Sequence, residues 1–248
     1  MIDIHTHILS GLDDGSYSID ESARMLDIAC GNKTKAVILT PHCNVPNMFG
    51  NYYSKALQEH FDNFKHHFKD LPIDLYLGME VFATSNLPQL LENNQIITLN
   101  NSRYLLVEFP FLCNINWVSH ILQELQQQNI TPIIAHPERY SFIQENPPFL
   151  LNLIEKGSLV QLNKSSLNGS FGTLAEEIAF ILLEHNLVHF IASDCHRSKA
   201  RTPFMRSTYR HIAEKFGQAY ANLLFSENPQ KVLNNIKITA PEPIGFFD

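Results

Sequence analysis

The chain opens with the stretch MIDIHTH, residues 1–7, in which a short apolar run ends in His5 and His7. A run of this length, apolar at nearly every position, is typical of a strand that is covered on both faces, as in a parallel sheet. Longer amphipathic stretches separate it from six similar runs, at 36–40, 74–81, 104–109, 132–135, 159–162 and 189–192. This alternation over 248 residues favours an α/β barrel over an open doubly wound sheet.

Helices are predicted between these runs. Ser18, with Glu21 three residues later, forms a capping-box pattern that predicts a helix from about residue 18 to residue 30. Apolar residues at helical spacing predict a second amphipathic helix over 114–129. Further helices are expected at 53–68, 147–156, 174–185 and 203–216. We expect a single domain over 1–248, in which the Pro- and Gly-containing tail 238–248 is a non-helical extension.

Composition narrows the class of function. With 18 Lys and Arg against 25 Asp and Glu the net charge is −7, which argues against a nucleic-acid-binding surface. The four cysteines form no CxxC pair, and the amino-terminal residues show neither the basic nor the long apolar region of a signal peptide. No apolar run approaches the roughly 18 residues of a membrane helix. These features predict a cytoplasmic protein without a membrane span.

Chemistry-bearing side chains stand where the predicted strands end. Six of the seven runs lead into His, Asp or Glu. In a parallel α/β barrel the carboxyl ends of the strands converge on one face and supply the catalytic residues. We therefore expect one cluster, and its candidate metal ligands are His5, His7, Asp14, His42, Glu80, Glu108, His136, Asp194 and His196. Asp13 competes with Asp14 for one position, which the sequence leaves open.

The types of these residues indicate a metal centre. The two rings of a His-x-His pair on a strand lie on the same face, because strand side chains alternate with period two. Imidazoles and carboxylates in this number fit two or three divalent ions bridged by carboxylates, an arrangement that serves in-line displacement at phosphorus. Any one strand-end acid could instead cap the next helix. Six such strand ends together favour the metal cluster.

Several motifs then resemble a known family. They are MIDIHTHILSGLDDG at 1–15, TPH at 40–42, GMEV at 78–81, LNNSRYLLVEFP at 99–110, TPIIAHPERY at 131–140 and IASDCH at 191–196. In order and spacing they resemble the PHP-type protein-tyrosine phosphatases of bacterial capsule and exopolysaccharide clusters, from Met1 to about Asn234. The resemblance implies a distorted (β/α)₇ TIM-like barrel and a metal-dependent phosphatase that acts on the phosphotyrosine-bearing tail of a cognate bacterial tyrosine autokinase.

The resemblance also implies how three ions would be held. The first would take His5, His7, Glu80 and Asp194, the second Glu80, Glu108 and His136, and the third Asp14, His42 and His196. Manganese is the family's usual ion, and iron, cobalt or zinc would also suit such ligands.

Arg139 and Arg201 match arginines of the family pattern and, with His136, are the predicted catalytic residues. A guanidinium binds pairs of phosphoryl oxygens in a bidentate manner. A salt bridge from Arg139 to Glu138 or to another loop acid is the alternative for that residue. Near the predicted site, the segment after His42 carries three aromatic residues, Phe49, Tyr52 and Tyr53. They could either flank a phosphotyrosine ring or belong to the core, and the core is favoured.

Three other functions stay open. Cys195 and Arg201 have the C-x5-R spacing of cysteine-dependent tyrosine phosphatases, in which a thiolate attacks phosphorus. A related barrel could hydrolyse a small metabolite such as histidinol phosphate. A regulatory module could bind metal without turnover. The sequence does not indicate the oligomeric state.

Overall fold

The fold is described by a computed structural model, which covers residues 1–239 and 242–246. Its strands are β1 Ile2–Thr6, β2 Ala36–Leu39, β3 His42–Cys43, β4 Asp74–Leu77, β5 Glu80–Phe82, β6 Tyr104–Glu108, β7 Thr131–Ala135, β8 Leu159–Asn163 and β9 Phe190–Ala192. Its α-helices are α1 Ile19–Gly31, α2 Lys55–His67, α3 Leu87–Glu92, α4 Ile115–Gln127, α5 Ser141–Glu145, α6 Phe149–Glu155, α7 Thr173–Glu184, α8 Arg206–Phe216, α9 Gln218–Asn222 and α10 Asn228–Leu233. Each predicted strand and helix is present, with ends shifted by at most a few residues.

The strands form a parallel barrel with seven positions in its wall. One ladder runs β1-β2-β4 and the other β3-β5-β6-β7-β8-β9. β3 follows β2 after Thr40 and Pro41, and β5 follows β4 after Gly78 and Met79, so each pair occupies one position. A parallel bridge between Thr6 and Cys195 joins the last position to the first. The predicted (β/α)₇ barrel is confirmed.

Residues 74–81, predicted as one strand, are two. Gly78 donates its N–H to the Leu39 carbonyl and Glu80 donates to Pro41, so the backbone stays in register across the break. A side chain at Gly78 would meet Leu99 Cδ2 at 2.7 Å, so the close approach of neighbouring side chains requires glycine there. The helices at 87–92, 141–145 and 218–233 were not predicted, because short helices depend on tertiary packing more than on a visible period.

The barrel interior changes from apolar to polar toward the carboxyl ends of its strands. On β6, Tyr104 and Leu106 are buried in the apolar interior cluster, and Glu108 follows with the same period of two. A second apolar layer lies between the strands and the helices and includes Val107 and Val160. Burying one such side chain contributes about 1.5–3 kcal/mol. The site is therefore built on strands held firmly on both faces.

The tail packs beside the strands where they begin. The Tyr104 hydroxyl donates to the Ile236 carbonyl at 2.7 Å and accepts from the Ile238 N–H at 3.0 Å. The described tail residues, 238–239 and 242–246, are not helical, as predicted. Residues 240, 241, 247 and 248 of the predicted extension lie outside the described part of the chain.

Candidate metal centre

The His-x-His pair at the end of β1 forms the deepest part of a polar cluster. His5 Nε2 and His7 Nε2 are 3.2 Å apart, and Glu80 Oε2 lies 3.1 Å from the first and 3.2 Å from the second. Asp194 Oδ1, from the segment after β9, is 3.5 Å and 3.4 Å from the same nitrogens. All four side chains are buried. This is the group that the resemblance assigns to the first ion.

A second group opens toward the surface. His7, Asp14, His42 and His196 each present a ligand atom within 4.8 Å of the others. Asp14 Oδ1 is 3.4 Å from His196 Nε2 and 3.6 Å from His42 Nε2. Of the two adjacent aspartates, Asp14 is therefore the one that faces the cluster. His7 belongs to this group as well as to the first, so it stands between two candidate ion positions.

Glu80 connects the cluster to β6 and β7. Its Oε2 atom is 3.0 Å from His42 Nδ1, and its Oε1 atom is 3.1 Å from His136 Nε2. Glu108 completes this part, with Oε1 3.7 Å from His136 Nε2 and Oε2 3.8 Å from His42 Nδ1. His42 lies about as close to the carboxylates of Glu80 and Glu108 as His136 does. The structure brings all nine predicted candidates into one connected cluster, in which His7 and His42 join the Glu80 group to Asp14 and His196.

Neighbouring side chains fix which ring nitrogens face the cluster. Asp13 Oδ2 accepts from His7 Nδ1 at 2.7 Å, and Gln161 Oε1 accepts from His5 Nδ1 at 2.8 Å. The backbone carbonyl of Asp194 lies 3.1 Å from His196 Nδ1. A carboxylate or carbonyl oxygen only accepts, so each of these Nδ1 atoms carries the hydrogen and each Nε2 presents a lone pair. This arrangement is usual for histidines that bind metals.

Strand β8 was the one predicted strand without a ligand at its end, and it supplies support instead. The Gln161 amide donates to Asn163 Oδ1 at 2.9 Å, and Asn163 in turn donates to Asp194 Oδ2 at 2.6 Å. Sequence reasoning missed both residues because only His, Asp and Glu at strand ends were taken as candidate ligands. The signal that could have revealed them is the pair of polar residues at alternate positions of an otherwise apolar buried strand, LVQLN.

The cluster has the features of a cation site. Three imidazole lone pairs and several carboxylate oxygens face one another, and His196 Nε2 and Glu80 Oε2 are buried without a hydrogen-bond partner. Burial, and then the neighbouring Glu80 charge, raise the pKa of Glu108 to about 8. His136 and Asp194 adopt left-handed backbone conformations, with φ of 34° and 48°, which cost energy for residues other than glycine. Divalent cations would satisfy these atoms, so the residues of the cluster fit bound metal ions.

Arg201 contacts the cluster directly, and Arg139 follows the cluster member His136 by three residues. Arg201 Nη2 is 2.5 Å from Asp194 Oδ2, and Arg201 Nε is buried without a partner. The expected alternative for Arg139, an ion pair with Glu138, is absent from the described residues. Glu138 Oε1 instead accepts from the Asn163 N–H at 3.1 Å and the Ser166 hydroxyl at 2.6 Å.

The predicted capping box is only half formed, and its second half serves the site. Ser18 Oγ accepts from the Glu21 N–H at 3.2 Å, as expected for a helix cap. The Glu21 carboxylate does not return to Ser18 but accepts from the Ser198 N–H at 2.7 Å. Helix α1 thereby holds the loop that carries His196 and Arg201.

The position of Cys195 bears on the cysteine mechanism that the sequence left open. Cys195 is fully buried in the layer between strands and helices, and burial raises the pKa of its thiol to about 12, so it is not placed as a nucleophile.

Of the three aromatic residues after His42, only Tyr53 packs against the core. Phe49 stacks on His42 with ring centres 5.9 Å apart, and Tyr52 is exposed. The expectation that all three are core residues is wrong, because this segment borders the site.

The fold and the site together define a class, an α/β barrel with a cluster of metal-ligand residues at the carboxyl ends of its strands. The chain belongs to the capsular polysaccharide synthesis family CpsB/CapC, whose sequence profile matches residues 1–234. It is 34% identical to the tyrosine-protein phosphatase YwqE of Bacillus subtilis, with all of both chains covered. It is also 34% identical to the tyrosine-protein phosphatase CpsB of Streptococcus pneumoniae, covering 94% of this chain and 98% of that one.

Solved structures agree with this assignment. One from work on YwqE and CpsB, described there as unique metal-dependent tyrosine phosphatases, superposes with a TM-score of 0.91 at 34% identity, with 98% of each chain covered. A histidinol phosphate phosphatase from Lactococcus lactis, complexed with zinc, L-histidinol and phosphate, reaches 0.60 at 13% identity, covering 90% of this chain and 94% of that one. That second likeness is one of fold. None of the helices in the described residues combines the length and the hydropathy of a membrane-spanning segment.

Proposed function

We propose that this chain is a metal-dependent protein-tyrosine phosphatase that hydrolyses phosphotyrosine on the tail of a cognate bacterial tyrosine autokinase and so regulates capsular or exopolysaccharide synthesis. The observation that carries the proposal is the meeting of nine metal-ligand residues and two arginines at one end of the barrel. The two relatives named above are tyrosine-protein phosphatases, and this chain covers nearly all of each of them. We further propose a reducing, cytoplasmic location, which agrees with four cysteines that are all free.

The metal ligands we propose are the nine clustered residues, namely His5, His7, Asp14, His42, Glu80, Glu108, His136, Asp194 and His196. Two or three divalent ions held by them would supply positive charge at the phosphoryl oxygens and an activated water. Manganese is the ion we propose, and a mixed imidazole and carboxylate set also accepts iron, cobalt or zinc. Because Glu80 lies near five other members of the set, its carboxylate is the proposed bridge.

The arginines bind and orient the phosphoryl group. The unpartnered Arg201 Nε–H is a ready donor to a phosphoryl oxygen, while Nη2 stays on Asp194. Arg139 forms no ion pair with an acid in the described residues, and Glu138 Oε1 accepts from the Asn163 N–H and the Ser166 hydroxyl instead. Positioning and charge neutralisation account for most of the catalysis in phosphoryl transfer. In this proposal the chain's own contribution is to hold the ions and to align the phosphate.

The test is phosphate release from a phosphotyrosine peptide. Chelation should abolish activity, and adding back Mn²⁺ should restore it, with Zn²⁺, Co²⁺ and Fe²⁺ compared in parallel. His136→Ala should lower activity at least 100-fold in folded protein, whereas Cys195→Ala should retain it. Activity that survives chelation but is lost in Cys195→Ala would establish the cysteine mechanism instead.

The substrate class is tested with the same preparation. A phosphotyrosine peptide and histidinol phosphate are compared by kcat/KM at equal metal content. We expect the peptide to be preferred. Preference for histidinol phosphate would assign the chain to the small-metabolite phosphatases, and metal binding without turnover of either compound or of p-nitrophenyl phosphate would indicate a regulatory module.

A further inference from the structure

A phenylalanine in the loop between β8 and α7 contacts both arginines of the site. The Arg139 Cζ atom lies 4.3 Å from the centre of the Phe171 ring, and the Arg201 Cζ atom lies 5.6 Å from the same centre. On its other side, Arg139 Cζ is 4.6 Å from the centre of the Phe111 ring. The contacts run Phe111, Arg139, Phe171, Arg201 in order, and Arg201 then pairs with Asp194.

Cation–π contacts of this kind hold a guanidinium without using its hydrogen-bond donors. An acid partner would hold Arg139 equally well but would occupy the N–H groups that a phosphoryl group needs. The face of an aromatic ring leaves the edge of the guanidinium free. Phe171 can therefore fix the plane of Arg139 and its separation from Arg201 while both keep donors for the substrate.

The loop around Phe171 is itself held firmly. Gly169 and Gly172 have φ of 72° and 95°, values that favour glycine, and the Gly172 N–H donates to the Gly169 carbonyl at 3.0 Å. Ser166 binds Glu138, the residue next to Arg139, so the two loops are tied together at a second point. The position of Phe171 is thus determined by the backbone on both sides of it.

We propose that Phe171 is a positioning residue of the phosphoryl-binding site, which holds Arg139 and Arg201 in the arrangement that grips the phosphate. This inference rests on the proposed function, because it assigns the two arginines to phosphate binding. Phe171 does not touch the reacting atoms, and its effect passes through the guanidinium groups.

The experiment compares Phe171→Leu and Phe171→Trp in the metal-loaded enzyme. Leucine keeps an apolar side chain but removes the ring, so kcat/KM for a phosphotyrosine peptide should fall about 10-fold, the order expected from losing two cation–π contacts. Tryptophan keeps the ring and should stay within about 3-fold of the parent protein. The matched control is Phe180→Leu. Phe180 lies on helix α7, away from the site, and its ring also makes a cation–π contact, with Lys215 Nζ 4.1 Å from the ring centre. This substitution should leave kcat/KM unchanged.

Two further measurements separate positioning from a general structural effect. In an Arg139→Ala, Arg201→Ala background, adding Phe171→Leu should change kcat/KM less than 2-fold, since there is nothing left to position. The Kd of inorganic phosphate, measured by calorimetry on the metal-loaded protein, should rise about 10-fold in Phe171→Leu alone. The inference would be overturned if Phe171→Leu lowered kcat/KM by the full 10-fold in the background without the two arginines. An unchanged Kd of phosphate in Phe171→Leu would overturn it as well. An inactive parent protein whose phosphate binding still weakens in Phe171→Leu would refute only the proposed function.

Discussion

Replacing Asp13 with asparagine tests whether the structure identifies the residue that orients His7. Asp13 accepts three hydrogen bonds: Oδ2 from His7 Nδ1 at 2.7 Å and from the His42 N–H at 2.9 Å, and Oδ1 from the Gly15 N–H at 2.9 Å. All three partners are donors. An asparagine has one acceptor oxygen, so its NH₂ group must face at least one donor and leave it unsatisfied.

The size of the effect follows from these contacts. One buried donor without a partner costs about 1–3 kcal/mol of folding stability. Loss of the carboxylate also releases the His7 tautomer, and changes of this kind typically weaken metal affinity about 10- to 100-fold, or about 1.4–2.7 kcal/mol. The expected variant is folded, binds metal more weakly, and recovers activity at high metal concentration.

The assay is kcat/KM for a phosphotyrosine peptide as a function of free Mn²⁺, with bound metal measured by elemental analysis. Asp20→Asn, at an exposed position in the first turn of α1, is the matched control and should behave as the parent protein. Asp14→Asn should reduce bound metal as well, because Asp14 faces the cluster directly. If Asp13→Asn shows the parent's metal dependence, then Asp13 does not set the orientation of His7 and the argument fails.

Two other perturbations have definite outcomes. His189 is buried and neutral, its Nδ1 accepts from the Val160 N–H, and burial lowers its pKa to about 4. The unfolded chain protonates His189 near pH 6.5, whereas the folded chain does so only near pH 4. About 3 kcal/mol of folding stability should therefore be lost as the pH falls from 6.5 to 4. Denaturant titrations of His189→Gln should not show this pH-dependent loss. Gly15→Ala should abolish metal binding, as elemental analysis would show, because its Cβ would overlap the His7 backbone oxygen and Cβ; normal metal content would contradict this.

The fold was predictable because the apolar runs match the strands of the barrel. Each run is buried between an apolar interior and a layer of helices, and burial on both faces is what makes a run apolar at nearly every position. The break after Leu77 was not predictable, because residues 74–81 are apolar at nearly every position on both sides of it. The extent of the single domain, 1–248, stays a prediction.

The convergence of the candidate ligands was predictable for a related reason. Strand ends that share one face of a barrel must meet, whatever loops connect them. Whether these nine side chains bind metal is still a proposal, but their proximity is a property of the structure. The choice between Asp13 and Asp14 lay beyond the sequence, because adjacent residues of one loop differ only in the direction their side chains take.

The supporting residues were beyond the sequence for a deeper reason. Gln161 and Phe171 belong to residue types that occur everywhere in proteins, and each gains its role only from a partner far away in the chain: His5 for the first, Arg139 for the second. Both lie on β8 or in the loop after it, the one strand whose end carries no predicted ligand. A strand without ligands in a barrel of this kind is therefore a place to look for the residues that orient them.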